Sequence, residues 1–276
     1  MRNIEPIQIE RRAKPTVEEI ERDFMRIDRP VVISGWLDEW PALTRWNEAF
    51  LRDRVGGAIV QVSKKEDAYF DGDERGFAFE SLTMRFNDYL DIVHGSSERP
   101  ERYYMQQEEI RSSFPPLVDD FSPPAPIQRE KRVIANLWVS SAGSVSPLHY
   151  DLVQNFLAQV TGAKRLILYP PSDTSKLYPF PALSASGHLS RINAERPDLE
   201  AFPHAAGAQP YLAEIRPGDV LFIPGLWWHH VRTLERSISV NFWWSLAARH
   251  KLRGQFGRMV LGRFARRFRA GAAART

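Results

Sequence analysis

The sequence predicts a mostly β fold, a double-sheet jelly roll or barrel with N-terminal and C-terminal helices. Three observations predict it. Five segments in the second half, "RVIANLWVS", "AKRLILYP", "PYLAEI", "DVLFIP" and "RSISVNFWW", are rich in β-branched and aromatic residues. Turn residues separate them, above all Pro217-Gly218, a pair that fits a type II turn with positive φ at the glycine. The chain is also long enough, at 276 residues and 43% hydrophobic, to bury a single large core without staples.

The elements follow in order. "TVEEIERDFMRI" opens with Thr16 and carries Glu19 three residues on, the spacing of a capping box. Val17, Ile20, Phe24 and Ile27 recur at helical spacing, so they form its buried stripe. "PVVISGW" is a short buried strand ended by Gly35. "SLTMRFNDYLDIVHG" reads as a further helix, with Leu82, Phe86, Tyr89, Leu90 and Val93 on one side and Gly95 as its C-cap. Five prolines between Arg111 and Gln128 mark a connector. The expected organisation is one domain over 1–248, with an α/β part over 1–110 and a jelly-roll core over 129–246. A basic amphipathic tail over 249–276 completes the chain, its helical pattern weakened by Gly254, Gly257 and Gly262.

Composition removes several chemistries. Without a single cysteine there is no disulfide, thiolate zinc site, iron–sulfur cluster or cysteine nucleophile. The N-terminus lacks the apolar centre of a signal peptide, and no apolar run approaches the ~18 residues that span a bilayer. A cytoplasmic protein is the expectation. The net charge of +3 is uneven: nine of the 37 basic residues and none of the 34 acidic ones lie from Arg249 onward, which leaves the rest at 28 to 34. The tail's plainer reading is a helix packed on the body or on a twin subunit. Contact with acidic surfaces, membrane or nucleic acid, is the alternative.

The candidate chemistry begins at "SPLHYDLVQNF". Side chains two apart in a strand share a face, so His149 and Asp151 can converge on one point. A hydrogen-bonded pair at a strand end would look the same. A third ligand can come from "DVLFIPGLWWHHV", read as a buried strand ending in His229 and His230, of which alternation admits one. Two histidines and a carboxylate on one face of a metal leave the opposite positions open, the arrangement of non-haem Fe(II) oxygenases. Most of the seven histidines, His94, His149, His188, His204, His229, His230 and His250, are expected at the surface. An anionic ligand inside the barrel would need a cation, and Lys164 and Arg165, which alternate in facing, compete for that place.

The stretch "SPLHYDLVQNFLAQVTGAKRLILYPP", followed by "PGDVLFIPGLWWHHV" and "SISVNFWW", resembles the JmjC, or cupin-8, family of Fe(II)/2-oxoglutarate oxygenases. The resemblance runs from about Ile7 to Ser245, includes "RPVVISGW", "RYYMQQ" and "RPDLEAFPHA", and is strongest to the asparaginyl-hydroxylase branch acting on hypoxia-inducible factor. It implies a double-stranded β-helix with His149, Asp151 and His229 as catalytic iron ligands. It implies Lys164, Tyr104 and Ser146 at the distal carboxylate of 2-oxoglutarate, and Asn155 and Asn241 beside co-substrate and iron. Gln106 and Trp243 would line the substrate side. The implied reaction uses O₂ to decarboxylate 2-oxoglutarate to succinate and CO₂ while hydroxylating a C–H bond.

A protein or peptide side chain is the expected substrate of such a dioxygenase, with an RNA base or small molecule as the alternative. A non-oxygenase metal-binding cupin and a silent binding module are the competing classes; Lys164 speaks against the first and the complete triad against the second. In the asparaginyl-hydroxylase branch that the chain resembles, C-terminal helices mediate dimerisation. Here the corresponding tail is short and basic, so a homodimer stays open.

Overall fold

The computed structural model describes residues 4–65, 72–73, 76–77, 79–95, 99–105, 107–182 and 184–245. Its first part holds β1 (Ile7–Gln8), β2 (Arg11–Ala13), α1 (Val17–Ile20), β3 (Val31–Ser34), α2 (Ala42–Arg45) and α3 (Glu48–Val55). Next come β4 (Ile59–Lys64), β5 (Gly72–Asp73), β6 (Gly76–Phe77), β7 (Glu80–Arg85), α4 (Phe86–His94), β8 (Tyr103–Met105), β9 (Glu108–Glu109) and α5 (Ile110–Ser113). The second part is β10 (Val133–Ser140), β11 (Val145–Tyr150), β12 (Val153–Thr161), β13 (Lys164–Tyr169), β14 (Tyr211–Ile215), β15 (Asp219–Ile223), β16 (Trp228–Thr233) and β17 (Ser237–Ser245).

The last eight strands form two facing sheets. One has the order β14-β13-β16-β11 and is extended by β1; the other has β15-β12-β17-β10 and is extended by β3, β2 and β9. Successive strands switch between the sheets at every step except the β13–β14 pair, which is the jelly-roll winding that the strand pattern predicts. All five quoted segments are strands. Gly218 takes φ +90° in the turn before β15, and the Asp219 amide donates to the Arg216 carbonyl at 2.9 Å.

β12 shows why the barrel holds. It is buried from Gln154 to Val160 because both of its faces are covered. Phe156, Ala158 and Val160 face the N-terminal part and pack in one cluster with Ile20, Trp46 and Phe86. Leu157 faces the other sheet and meets Leu166, Leu168 and Ile215. Phe156 stacks on Trp244 with ring centroids 5.0 Å apart. Burying a side chain of that size contributes about 1.5–3 kcal/mol.

The N-terminal part departs from its predicted pattern in two places. Thr16 caps α1 as a capping box, its hydroxyl accepting from the Glu19 amide at 3.2 Å. Ile20 and Phe24 are buried, but Ile27 is 62% exposed. The chain widens into a π-turn over Glu21–Met25, with i→i+5 bonds such as Arg26 N to Glu21 O, and the extra residue per turn rotates Ile27 off the stripe. Leu82 is not helical either. Leu82 and Met84 alternate with Ser81, Thr83 and Arg85 in β7, which pairs with β4, and α4 starts only at Phe86. Gly95 does end α4, for steric reasons and without positive φ: a Cβ there would lie 2.3 Å from the Asp91 carbonyl oxygen.

The proline-rich connector is a series of 3₁₀ turns that buries Leu117 and Ile127 against the helix-side cluster. The predicted tail helix over 249–276 lies outside the described residues. No helix among them is long and apolar enough to cross a membrane.

Candidate metal and anion site

The site is a cavity of about 290 Å³ inside the barrel mouth. Three walls enclose it: the β11–β16–β13 face, the β12–β17–β10 face, and a third wall from the small sheet β7-β4-β8.

On the first wall, His149 and His229 sit directly opposite each other in the β11·β16 ladder, with ring centroids 4.2 Å apart. Asp151 follows β11 and brings a carboxylate oxygen to 3.7 Å from His229 Nε2. One donor atom from each of the three lies within 4.8 Å of the others. Both rings are fixed the same way. His149 Nδ1 lies 2.7 Å from the Pro147 carbonyl and His229 Nδ1 lies 3.0 Å from the Trp227 carbonyl. A carbonyl only accepts, so each Nδ1 carries the proton and each Nε2 presents its lone pair. Burial, and then the neighbouring His229, push the His149 pKa down to about 4, which keeps the ring neutral. Two imidazoles and one carboxylate, with backbone acceptors behind the rings, are a donor set that suits a divalent metal ion.

The sequence read "DVLFIPGLWWHHV" as one strand ending in the histidines, and the structure corrects this. The segment breaks at Pro224-Gly225: β15 belongs to one sheet and β16, which begins at Trp228, to the other. The histidines therefore open a strand. Alternation still separates them, with His229 in the cavity and His230 buried behind it. The expectation that most of the seven histidines are on the surface also fails. His188 lines the cavity and His94 is half-buried beside Glu48; His204 is exposed, and His250 lies outside the described residues.

Ser146 and His149 are three apart, which simple alternation would place on opposite faces. The ladder slips between them: Ser146 pairs with Val231 and His149 with His229, so three steps on β11 match two on β16. The extra residue is a β-bulge at Pro147-Leu148, where a proline without N–H disturbs no ladder bond. Both side chains thereby line one cavity.

Deeper along the same wall, Gly162 (φ +67°) makes the tight turn that starts β13 at Lys164. Lys164 is 3% exposed and lines the cavity, whereas Arg165 points out and pairs with Glu214 at 2.7 Å. The competition between the two is decided by burial. Burial alone pulls the Lys164 pKa down to about 8, and no carboxylate among the described residues pairs with it.

The second wall contributes Asn155, Asn241 and Trp243. Asn136 Nδ2 donates to Asn241 Oδ1 at 3.1 Å, while Asn155 Oδ1 and Trp243 Nε1 are buried without a hydrogen-bond partner among the described residues. The third wall brings Tyr104, whose hydroxyl lies 2.8 Å from Ser146 Oγ. Burial pushes the Tyr104 pKa up to about 12, so it stays a neutral phenol. Gln106 lies outside the described residues; its neighbour Gln107 lines the cavity. Sequence reasoning missed Ser63, Lys65 and Trp138. Their signal is the cross-strand register, since Ser63 faces Tyr104 in the β4·β8 pair.

The sequence profile of the cupin-like domain family matches residues 17–250. Among curated proteins, the chain is 36% identical over 237 residues to lysine-specific demethylase 8 of Danio rerio, covering 84% of this chain and 57% of that one. It is 30% identical over 261 residues to the bifunctional peptidase and (3S)-lysyl hydroxylase JMJD7 of Homo sapiens, covering 84% and 82%. It is 31% identical over 245 residues to tRNA wybutosine-synthesizing protein 5 of Gallus gallus, covering 83% and 74%. The chain spans little more than half the length of the lysine-specific demethylase 8 relatives, 57% and 51%.

Proposed function

The chain belongs to the cupin-like domain family, and from that premise we propose that it is an Fe(II)- and 2-oxoglutarate-dependent dioxygenase that hydroxylates a C–H bond. One observation carries the reading: a His149–Asp151–His229 cluster and a buried Lys164 line the same small cavity. A metal site alone would suit any cupin. The lysine adds a fixed positive charge at the far end, which a dicarboxylate needs and a simple metal site does not.

The strand rows set the fit. His229 and Thr233, the ladder partner of Lys164, are four residues apart on β16, about 13 Å at ~3.3 Å per residue. The long lysine stem reaches back across part of that span. His149 Nε2, His229 Nε2 and Asp151 would hold the iron. Lys164 would take the distal carboxylate of 2-oxoglutarate, with Tyr104 and Ser146 as hydroxyl donors, and Asn155 and Asn241 would border the co-substrate. Trp243, and on the same reading Gln106, would face the substrate. Bound iron with O₂ supplies the oxidising chemistry, coupled to conversion of 2-oxoglutarate to succinate and CO₂. The protein's own work is to keep the His149 imidazole neutral, fix the orientation of both rings, and exclude water with the Trp138 and Trp243 walls.

A protein or peptide side chain is the proposed substrate class, in line with the lysine-directed names of two relatives; the tRNA-modifying relative keeps an RNA base as the alternative. We assign the fold unit to 1–248 and a cytoplasmic setting, which a chain without cysteine suits. The test is direct. Purified protein with Fe(II), ascorbate and 2-oxoglutarate should release succinate slowly without any substrate, and His149→Ala should abolish it. Failure to bind iron, or unchanged turnover in that variant, would overturn the reading.

A further inference from the structure

His149 and His229 sit in a strand ladder, but Asp151 does not. It lies in the two-residue link Asp151-Leu152, which carries the chain from β11 in one sheet to β12 in the other. A carboxylate on a link has no ladder to fix it, so its aim depends on what holds the link. Residues 224–227, which lead from β15 to β16, cross between the same two sheets in the opposite direction. The two links are bonded to each other. The Leu226 amide donates to the Asp151 carbonyl at 2.9 Å, and the Gly225 amide donates to Gln154 Oε1 at 3.0 Å.

The second link is strained. The Trp227 amide donates to the Pro224 carbonyl at 3.1 Å and closes a four-residue turn, with Leu226 at its third position and φ +70°. A type II turn favours glycine at that position, yet the glycine here stands one place earlier. A bulky residue persists at positive φ only where its surroundings over-determine it. Two restraints do so. The Leu226 side chain is buried in one cluster with Leu148, Tyr150 and Trp228. Gln154, 5% exposed on β12, holds the neighbouring Gly225. The turn then serves two of the three donor residues. It gives an amide to the Asp151 backbone, and its Trp227 carbonyl lies 3.0 Å from His229 Nδ1.

We propose that Gln154 and Leu226 are positioning residues of the metal site. Gln154 fixes the turn through Gly225, the Leu226 amide pins the Asp151 carbonyl, and the carboxylate is thereby kept on the side of His149 and His229. The proposal rests on the metal part of the reading above. Gln154 alternates with Asn155, which lines the cavity, so its side chain faces the other way. Neither Gln154 nor Leu226 lines the cavity, and their effect on a metal passes through the backbone of Asp151 and Trp227.

The experiment titrates wild type, Gln154→Met, Gln154→Glu and Leu226→Gly with Mn(II), follows the EPR spectrum of the bound ion, and melts each protein without metal. Methionine matches glutamine in length but offers only a weak sulfur acceptor, whereas glutamate keeps an oxygen in the same place. Loss of a group that supports a metal ligand costs roughly 10–100-fold, so Gln154→Met should bind Mn(II) about tenfold or more weakly, with a changed line shape. Gln154→Glu should restore most of that loss. Glycine adopts either sign of φ, so Leu226→Gly should release the Asp151 carbonyl and weaken Mn(II) as well; this variant decides the matter where Gln154→Met does not fold. A role in stability alone would lower the melting temperature of Gln154→Met and leave Mn(II) affinity and line shape as in the wild type. That result would overturn the proposal, as would equal losses in Gln154→Met and Gln154→Glu, or wild-type affinity in Leu226→Gly. Wild-type protein that binds no Mn(II) would count against the metal site itself, and the inference would fall with it.

Discussion

On the barrel side of the cavity, His149 and His229 are locked opposite each other in a ladder that runs on through β13 and β14. On the other side, Ser63 and Tyr104 stand on β4 and β8, with Lys65 just past the end of β4; the two strands pair over three residues and belong to a separate three-stranded sheet. The first wall is fixed by long register and by residues packed on both faces. The second is positioned by the helices and 3₁₀ turns beneath it, through Phe86, Tyr89 and Phe114. Such a division lets one scaffold keep its metal and co-substrate geometry while the facing wall varies with the substrate.

That difference also separates what could be read from the sequence. His149 and Asp151 are legible because the side-chain period of a strand is two, and the choice between His229 and His230 reduces to the same rule. Ser146 is not legible from alternation. It faces the cavity only through the bulge at Pro147, and resemblance alone suggested it. Lys164 and Arg165 could not be separated before their burial was known. Ser63 and Lys65 carried no local signal, because their place depends on register between β4 and β8, about 40 residues apart in the chain. Ile27 and Leu82 were misplaced for local reasons, a π-turn and a strand whose leucines fall at spacings a helix also uses.

The largest expected effect comes from breaking the barrel wall. His229→Ala removes one of three donor atoms and leaves Asp151 and His149 without their common partner. Loss of an outer-shell group behind a metal ligand already costs roughly 10–100-fold in affinity or activity, so loss of the ligand itself should exceed that. Titration of the variant with Fe(II) or Mn(II), and succinate release, would check it. Retention of wild-type metal affinity would mean that the metal sits elsewhere.

Lys164→Met should act next, and in opposite directions on binding and folding. Removing one partner of a buried charge pair costs about 2–5 kcal/mol in affinity, so 2-oxoglutarate binding should weaken by that amount. Without ligand, the buried ammonium is a burden. The unfolded chain holds the Lys164 proton up to about pH 10.5 and the folded chain releases it near 8. Between those values the unfolded state binds more protons, so the stability of the metal-free protein should climb with rising pH. The climb belonging to Lys164 is on the order of 3 kcal/mol. Lys65, shifted the same way, adds to it. Denaturant melts at pH 7.5 and 9.5 should show the climb in the wild type and a smaller one in Lys164→Met, which should also be the more stable protein at pH 7.5.

Tyr104→Phe should give the smallest change and tests how closely the two walls depend on each other. The Tyr104 hydroxyl meets Ser146 Oγ at 2.8 Å, so a side chain of the outer wall bonds one from the bulged strand of the barrel. The ring keeps its packing on Trp138, with centroids 5.6 Å apart, because phenylalanine preserves that surface. Only the hydrogen bond is lost, a net contribution of about 0.5–1.5 kcal/mol. If the bond serves mainly to hold the walls together, the deficit should appear in the melting of the ligand-free protein. If the hydroxyl also reaches the co-substrate carboxylate, 2-oxoglutarate affinity should fall by a further factor of about 10, since bonds to charged groups contribute roughly 1.5–3 kcal/mol. A Ser146→Ala, Tyr104→Phe double-mutant cycle separates the two. Coupling seen only with 2-oxoglutarate bound would mark a shared carboxylate site, while equal coupling with and without it would reduce the pair to a fastening between walls.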